Sequence, residues 1–153
     1  LSYLAHTHAP ALADALRTIE HATVDKMDQF QYVLVTGLSG IIPGAIFAHL
    51  YGKDLVVVRK PREACHGQHV EGPYDWDSEK FDGNPGASGY IILDDFICHG
   101  HTLKRLLDVH QNGQMPEFVV MYNPRACIML ATPHLRLIPC NVPGRYTVER
   151  RKP

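Results

Sequence analysis

The stretch Gly89–Leu107, GYIILDDFICHGHTLKRLL, decides the fold. Tyr90 to Leu93 are bulky and apolar, the pattern of a strand buried on both faces of a parallel sheet. Two acids, Asp94 and Asp95, end the run. Gly100 follows five residues after the second acid. From there Leu103, Leu106, Leu107 and His110 recur at helical spacing, with Gly113 at the expected stop. A strand, an acidic turn, a glycine and a helix in this order form the first half of a β-α-β crossover.

Working outward, the same grammar repeats. YVLVTG (32–37) predicts a buried strand, and LSGIIPGAIFAHLYG (38–52) a glycine turn and a helix with Pro43 near its start and Gly52 at its stop. DLVVVRKP (54–61) predicts a second strand, ended by Pro61. PALADALRTIEHATVDKMDQF (10–30) reads as one helix, with Leu12, Leu16, Ile19, Val24, Met27 and Phe30 near a 3.6-residue period. EFVVMY (117–122) and HLRLIP (134–139) predict two further strands, while ACIMLA (126–131) fits either state. Residues 141–153 read as a basic tail, whose Tyr146 either stacks on a base or packs on the core. Residues 64–88 are polar, rich in Gly, His and acids, and carry Trp76; a loop this long in a compact domain is typically a lid or a binding loop. The expectation is a single α/β domain over 1–153, a parallel β-sheet flanked by helices in a Rossmann-like arrangement. Ligands of such sheets bind beyond the carboxyl ends of the strands. That rule selects TGLSGIIPG, the loop after Lys60, and DDFICHGHT.

Composition bounds the function. The 153 residues carry a net charge of -1, with 45% hydrophobic and 20% charged residues, so no global field draws the chain to nucleic acid or a membrane surface. No apolar run approaches the roughly 20 residues of a membrane span. Cys65, Cys98, Cys127 and Cys140 have no framework spacing, and the sequence opens without a basic-then-apolar signal pattern. Both point to reduced thiols and a cytoplasmic setting.

Adjacent carboxylates at Asp94 and Asp95 suit a sugar diol or a hydrated Mg²⁺. The N–H groups of the helix start suit a phosphate, and Gly100 lets the backbone approach it. Thr102 is expected to cap the helix and donate to the same phosphate. A ribose 5-phosphate has this shape, with hydroxyls at one end and phosphoryl oxygens at the other.

At this point YIILDDFICHGHT resembles the phosphoribosyl pyrophosphate (PRPP) loop of the type I phosphoribosyltransferases. The apolar run, Asp94, Asp95, Ile97, Gly100 and Thr102 match. Phe96 is larger than usual, Cys98 stands where many members carry an acid or a small residue, and His99 replaces a threonine or serine. LVTGLSGIIPGAIFAHLYGKDLVVVRKP resembles the first strand, pyrophosphate loop, helix and basic strand end of adenine- and orotate-type members. The resemblance, over residues 30 to 122, implies a type I phosphoribosyltransferase fold with a minimal hood over the base. The N-terminal helix and the tail are the only candidates for that hood. It further implies Mg²⁺ at Asp94 and Asp95, which hold the ribose hydroxyls. The 5-phosphate falls to Gly100, His101 and Thr102, with backbone N–H groups from Cys98 and His99. Pyrophosphate falls to Leu38, Ser39, Gly40, Arg59 and Lys60, with Lys60 counted among the catalytic residues beside the two acids. Arg62 is a further cation for the leaving group, and His66, His69 and Lys80 are candidates for the same task in a flexible catalytic loop over 64–88. The implied partners are PRPP or a nucleoside 5′-monophosphate, pyrophosphate, and a second copy of the chain in a homodimer.

The implied activity is transfer of the 5-phosphoribosyl group to a nucleobase-like nitrogen, in purine or pyrimidine salvage. The departures at Cys98 and His99 and the short chain keep open a nucleotide-binding regulatory module. The clusters Cys65-His66-His69 and Cys98-His99-His101 keep open a zinc protein on the same sheet, although their spacing fits no structural zinc module.

Overall fold

The computed structural model describes residues 8–60, 70–72, 89–97, 99–109, 114–123 and 135–151. Helix α1 (Ala9–Thr23) leads through a 3-10 turn (Val24–Gln29) into strand β1 (Phe30–Val35), helix α2 (Gly37–Tyr51) and strand β2 (Asp54–Val58). Then come β3 (Val70–Glu71), β4 (Gly89–Asp94), helix α3 (His101–Asp108), β5 (Phe118–Met121), β6 (Leu135–Pro139) and β7 (Arg145–Arg150). They form one seven-stranded sheet in the order β3-β2-β1-β4-β5-β7-β6. The four central strands, β2-β1-β4-β5, are parallel. The two-residue β3 and the pair β7-β6 extend the edges antiparallel.

The period of two that marks a strand sorts the core into two layers. Val33, Val35, Ile91, Leu93, Phe118 and Val120 face α1 and α2, packing with Ala15, Ile19, Ala22 and Phe47. Tyr32, Leu34, Tyr90, Ile92, Val119 and Met121 face the other way, against Leu103, Leu106 and Leu107 of α3. Phe30 meets Phe118 edge to face at 5.9 Å. Helix α2 approaches closely enough that a Cβ on Gly44 would stand 2.7 Å from Val35 Cγ1. A glycine there is a packing requirement.

Three expectations are corrected. The apolar period of residues 10–30 is not one helix. Thr23 Oγ1 donates back to Ile19 O at 2.9 Å, Lys26 takes a non-helical φ of -141°, and Val24 is 68% exposed. Phe30 belongs to β1 instead. The basic tail is not a tail, because its residues 145–150 form β7, inserted between β5 and β6. Both hood candidates are therefore built into the core: α1 packs on the sheet, and Tyr146 of β7 packs against the α3-side cluster. Residues 70 and 71, expected within the long loop, pair with β2. The rest of 64–88, apart from Gly72, and the ambiguous 126–131 lie outside the described residues. Among the described residues no helix is long and apolar enough to cross a membrane.

From β1 the chain moves outward through β2 to β3. It then returns to the other side of β1 as β4 and continues outward to β5. The direction reverses between β1 and β4, and α2 and α3 leave those two strands on opposite faces. A crevice opens at such a switch point beyond the strand ends.

Candidate functional site

Beyond the ends of β1 and β4 lies a cleft of about 240 Å³. Its described lining residues are Thr36 and Ser39 after β1, Lys60 after β2, and Asp94 to Ile97 and His99 to Thr102 after β4. Each position follows from local chemistry. Thr36 is extended and caps α2 with its main chain only. Its hydroxyl instead donates to Val58 O at 2.6 Å, tying the ends of β1 and β2 together. Gly37 turns the chain at φ 65°, and a Cβ there would lie 3.5 Å from Lys60 Nζ, which locates the ammonium at the start of α2.

On the other side, Asp94 closes β4. Asp95 N–H donates to Asp94 Oδ1 at 3.0 Å, and Phe96 N–H to Asp95 Oδ1 at 3.0 Å. Tyr122 and Asn123 reach across from the end of β5, donating their N–H groups to Asp94 O at 3.2 Å and Asp95 O at 2.8 Å. Gly100, at φ 77°, is the N-cap of α3 and has no side chain with which to cap it. Thr102 lies inside the first turn rather than at the cap, contrary to expectation. The rings of His99 and His101 stack with centroids 6.1 Å apart.

Two helix N-termini, α2 and α3, thus open on one cleft without a side-chain cap. Their first-turn N–H groups and positive dipole ends favour an anion. Between them Asp94 is 6% exposed. Burial pushes its carboxyl well above the usual carboxylate range; contact with the Asp95 side chain adds to this, and the Asp95 N–H and Lys60 partly offset it. A buried acid short of compensating charge is what a cation or hydroxyl donors would satisfy.

Among the described residues no group of three or more His, Cys, Asp or Glu side chains could hold a metal. Two adjacent carboxylates fit a magnesium ion that keeps most of its shell as water and substrate oxygens. The Cys65, His66, His69 and Cys98 ligands of the zinc reading lie outside the described residues.

No family model matches the chain, and no curated protein matches it. Solved structures do. Orotate phosphoribosyltransferase from Aeropyrum pernix superposes with TM-score 0.51 at 18% identity, over 71% of this chain and 55% of that one. Adenine phosphoribosyltransferase from Thermoanaerobacter pseudethanolicus gives 0.52 at 17% identity, over 75% and 69%. The adenine enzyme from Rhodothermus marinus gives 0.50 at 20% identity, over 82% and 69%. The fold is that of the type I phosphoribosyltransferases. At these identities the likeness is one of fold, and the chain spans about half the length of the orotate enzyme.

Within this phosphoribosyltransferase fold the structure gathers Ser39, Lys60, Asp94, Asp95, His99, Gly100, His101 and Thr102 at the cleft. Three expected residues are not among the cleft's described lining: Leu38, in the first turn of α2, is 58% exposed to solvent. Arg59 holds Glu71 of β3 through Nε at 2.9 Å and Nη2 at 2.6 Å. Gly40 lies on the buried side of α2, where a Cβ would stand 3.3 Å from Val35 Cβ, so it serves helix packing. Cys98 is outside the described residues. Sequence reasoning missed Thr36 and Tyr122. Thr36 stood in the quoted TGLSG motif, and Tyr122 was visible only as the polar-tipped residue ending a buried strand.

Proposed function

We propose that the cleft binds the ribose 5-phosphate portion of PRPP or a nucleoside 5′-monophosphate. In this reading the protein transfers the phosphoribosyl group to a nucleobase-like nitrogen and releases pyrophosphate. One observation carries the proposal: an acid pair, Asp94 buried and Asp95 half-buried, and two uncapped helix starts meet in a single cleft at the switch point. A volume of about 240 Å³ is below the roughly 300 Å³ at which drug-sized pockets begin. It suits a sugar phosphate better than a whole nucleotide.

The residues divide the work. Asp94 and Asp95 accept from the ribose hydroxyls. Main-chain N–H groups at the start of α3, with Thr102 and the imidazoles of His99 and His101, hold the 5-phosphate. The start of α2, Ser39 and Lys60 hold the pyrophosphate. Displacement at C1 builds positive charge on the ribose and negative charge on the departing group, so fixed donors and exclusion of water do the work and no protein nucleophile is needed. Mg²⁺, held through Asp94 and Asp95, would neutralise part of the pyrophosphate charge.

A nucleotide-binding regulator is the second reading. The Arg59–Glu71 pair favours it, because Lys60 is then the one lysine or arginine among the described cleft-lining residues. Incubation with PRPP, Mg²⁺ and a panel of nucleobases separates the two. Base-dependent pyrophosphate release supports the transferase. Saturable PRPP binding without release supports the regulator, and absence of binding refutes both.

A further inference from the structure

Helix α2 carries a proline inside it, and its position matters for the cleft. Pro43 stands four residues after Ser39 and is buried. It has no N–H, so the helix cannot give Ser39 O its usual partner, and the proline ring crowds that same carbonyl. A part-buried carbonyl in this state needs a donor from elsewhere. Tyr122 provides it: the phenol donates to Ser39 O at 2.5 Å across 83 positions of sequence. Tyr122 is 6% exposed, and its own N–H donates to Asp94 O at 3.2 Å. One residue therefore bonds to both walls of the cleft.

We propose that Tyr122 is a positioning residue whose hydroxyl replaces the hydrogen bond Pro43 removes, fixing the pyrophosphate-binding first turn of α2 against the Asp94–Asp95 strand end. The inference rests on the reading of the cleft given above. Without Pro43 the helix would satisfy Ser39 internally, and the first turn would owe nothing to β5. With Pro43, the spacing between the two walls is set by a tyrosine ring wedged in the core. Burial, with Asp95 and Asp94 close by, holds the phenol above its ordinary pKa, which favours its donor form.

Tyr122→Phe keeps the ring and deletes the donor. Adding Pro43→Ala to that variant returns an N–H to position 43. Titration calorimetry with inorganic pyrophosphate and, separately, ribose 5-phosphate, each with Mg²⁺, reads the two walls. Tyr122→Phe is expected to weaken pyrophosphate about tenfold, the effect of one hydrogen bond, and ribose 5-phosphate by less than about twofold. The double variant recovers most of that loss. Equal weakening of both ligands, unchanged pyrophosphate affinity, or no recovery in the double variant would overturn the proposal. Amide hydrogen exchange of Leu38 to Ile41 tests the tie without a ligand. Exchange that quickens in Tyr122→Phe and slows again in the double variant supports it, and unchanged exchange overturns it. A wild-type protein that binds neither ligand defeats the reading of the cleft, and the exchange experiment still decides the tie.

Discussion

The main-chain N–H of Asp95 donates to Asp94 Oδ1 at 3.0 Å, beneath a surface that leaves Asp94 only 6% exposed. That bond and Lys60 favour the carboxylate, but burial outweighs both, and the Asp95 side chain adds to it. The folded protein therefore holds the Asp94 proton more tightly than the unfolded chain does. For an acid shifted upward, the stabilising contribution is complete below the unfolded pKa and is lost as pH rises through the folded one. At neutral and alkaline pH, ligand-free Asp94 works against the fold, as groups kept for binding commonly do.

Asp94→Asn removes that ionisation while keeping the shape. Its melting temperature is expected to exceed the wild type's by roughly 2–4 °C at pH 8, the effect of about 1 kcal/mol in a domain of this size. The difference shrinks toward pH 4, where wild-type Asp94 is protonated. The same variant loses ribose 5-phosphate binding. Scanning calorimetry at the two pH values, with titration at pH 8, checks both. A variant less stable than wild type at pH 8 contradicts the account.

Ligand uptake should release a proton. Hydroxyl donors or Mg²⁺ at the pair favour the carboxylate, so Asp94 gives up its proton as the complex forms. Affinity then rises with pH, by up to about tenfold per unit below the folded pKa of Asp94, and levels off above it. Calorimetry in two buffers of different ionisation enthalpy, below that plateau, measures the protons released. Zero release throughout, or affinity that falls with rising pH, excludes Asp94 as the coupled group.

Lys60 and Arg59 are neighbours with different employment. Lys60 lines the cleft, whereas Arg59 is engaged by Glu71. Lys60→Ala is expected to weaken pyrophosphate by about 10- to 100-fold, the range for a charge-assisted contact. Arg59→Ala breaks an ion pair that is 31% and 48% exposed, costing stability by less than about 1 kcal/mol and affinity little. Fluorescence titration of both variants decides. Equal losses would return Arg59 to the site.

This pair also shows how far the sequence could be read. RKP at a strand end marks basic groups near the cleft, but not which one turns inward. The choice is made by Glu71, twelve residues away in a segment without periodicity. The parallel strands were legible because burial on both faces leaves uninterrupted apolar runs in β1, β2, β4 and β5. The acid pair and Gly100 were legible because their chemistry is local. β7 was not, since an edge-region strand with alternating polar residues, RYTVER, looks like a solvated tail until β6 supplies its partner. Tyr122 was hidden for a similar reason: its role depends on a proline 79 positions away.

β7 also anchors the N-terminal helix through its first residue. Arg145 is 6% exposed, and its Nη1 donates to Asp25 Oδ1 at 2.7 Å and to Ala22 O at 3.3 Å near the end of α1. Its guanidinium lies over the Phe118 ring at 4.1 Å. One cation thus serves a helix C-terminus, a carboxylate and an aromatic face. Arg145→Ala strips all three and opens a gap. The expected loss is about 2–3 kcal/mol, below the roughly 3–5 of a fully buried pair, because Asp25 is 54% exposed. Arg145→Lys keeps the charge but not the planar stack or the fork, and recovers less than half. Urea unfolding should show lower midpoints at constant slope, while the folded variants keep wild-type ribose 5-phosphate affinity because Arg145 is not among the cleft-lining residues. Full rescue by lysine would mean that charge alone matters, and that the contact with Phe118 contributes nothing.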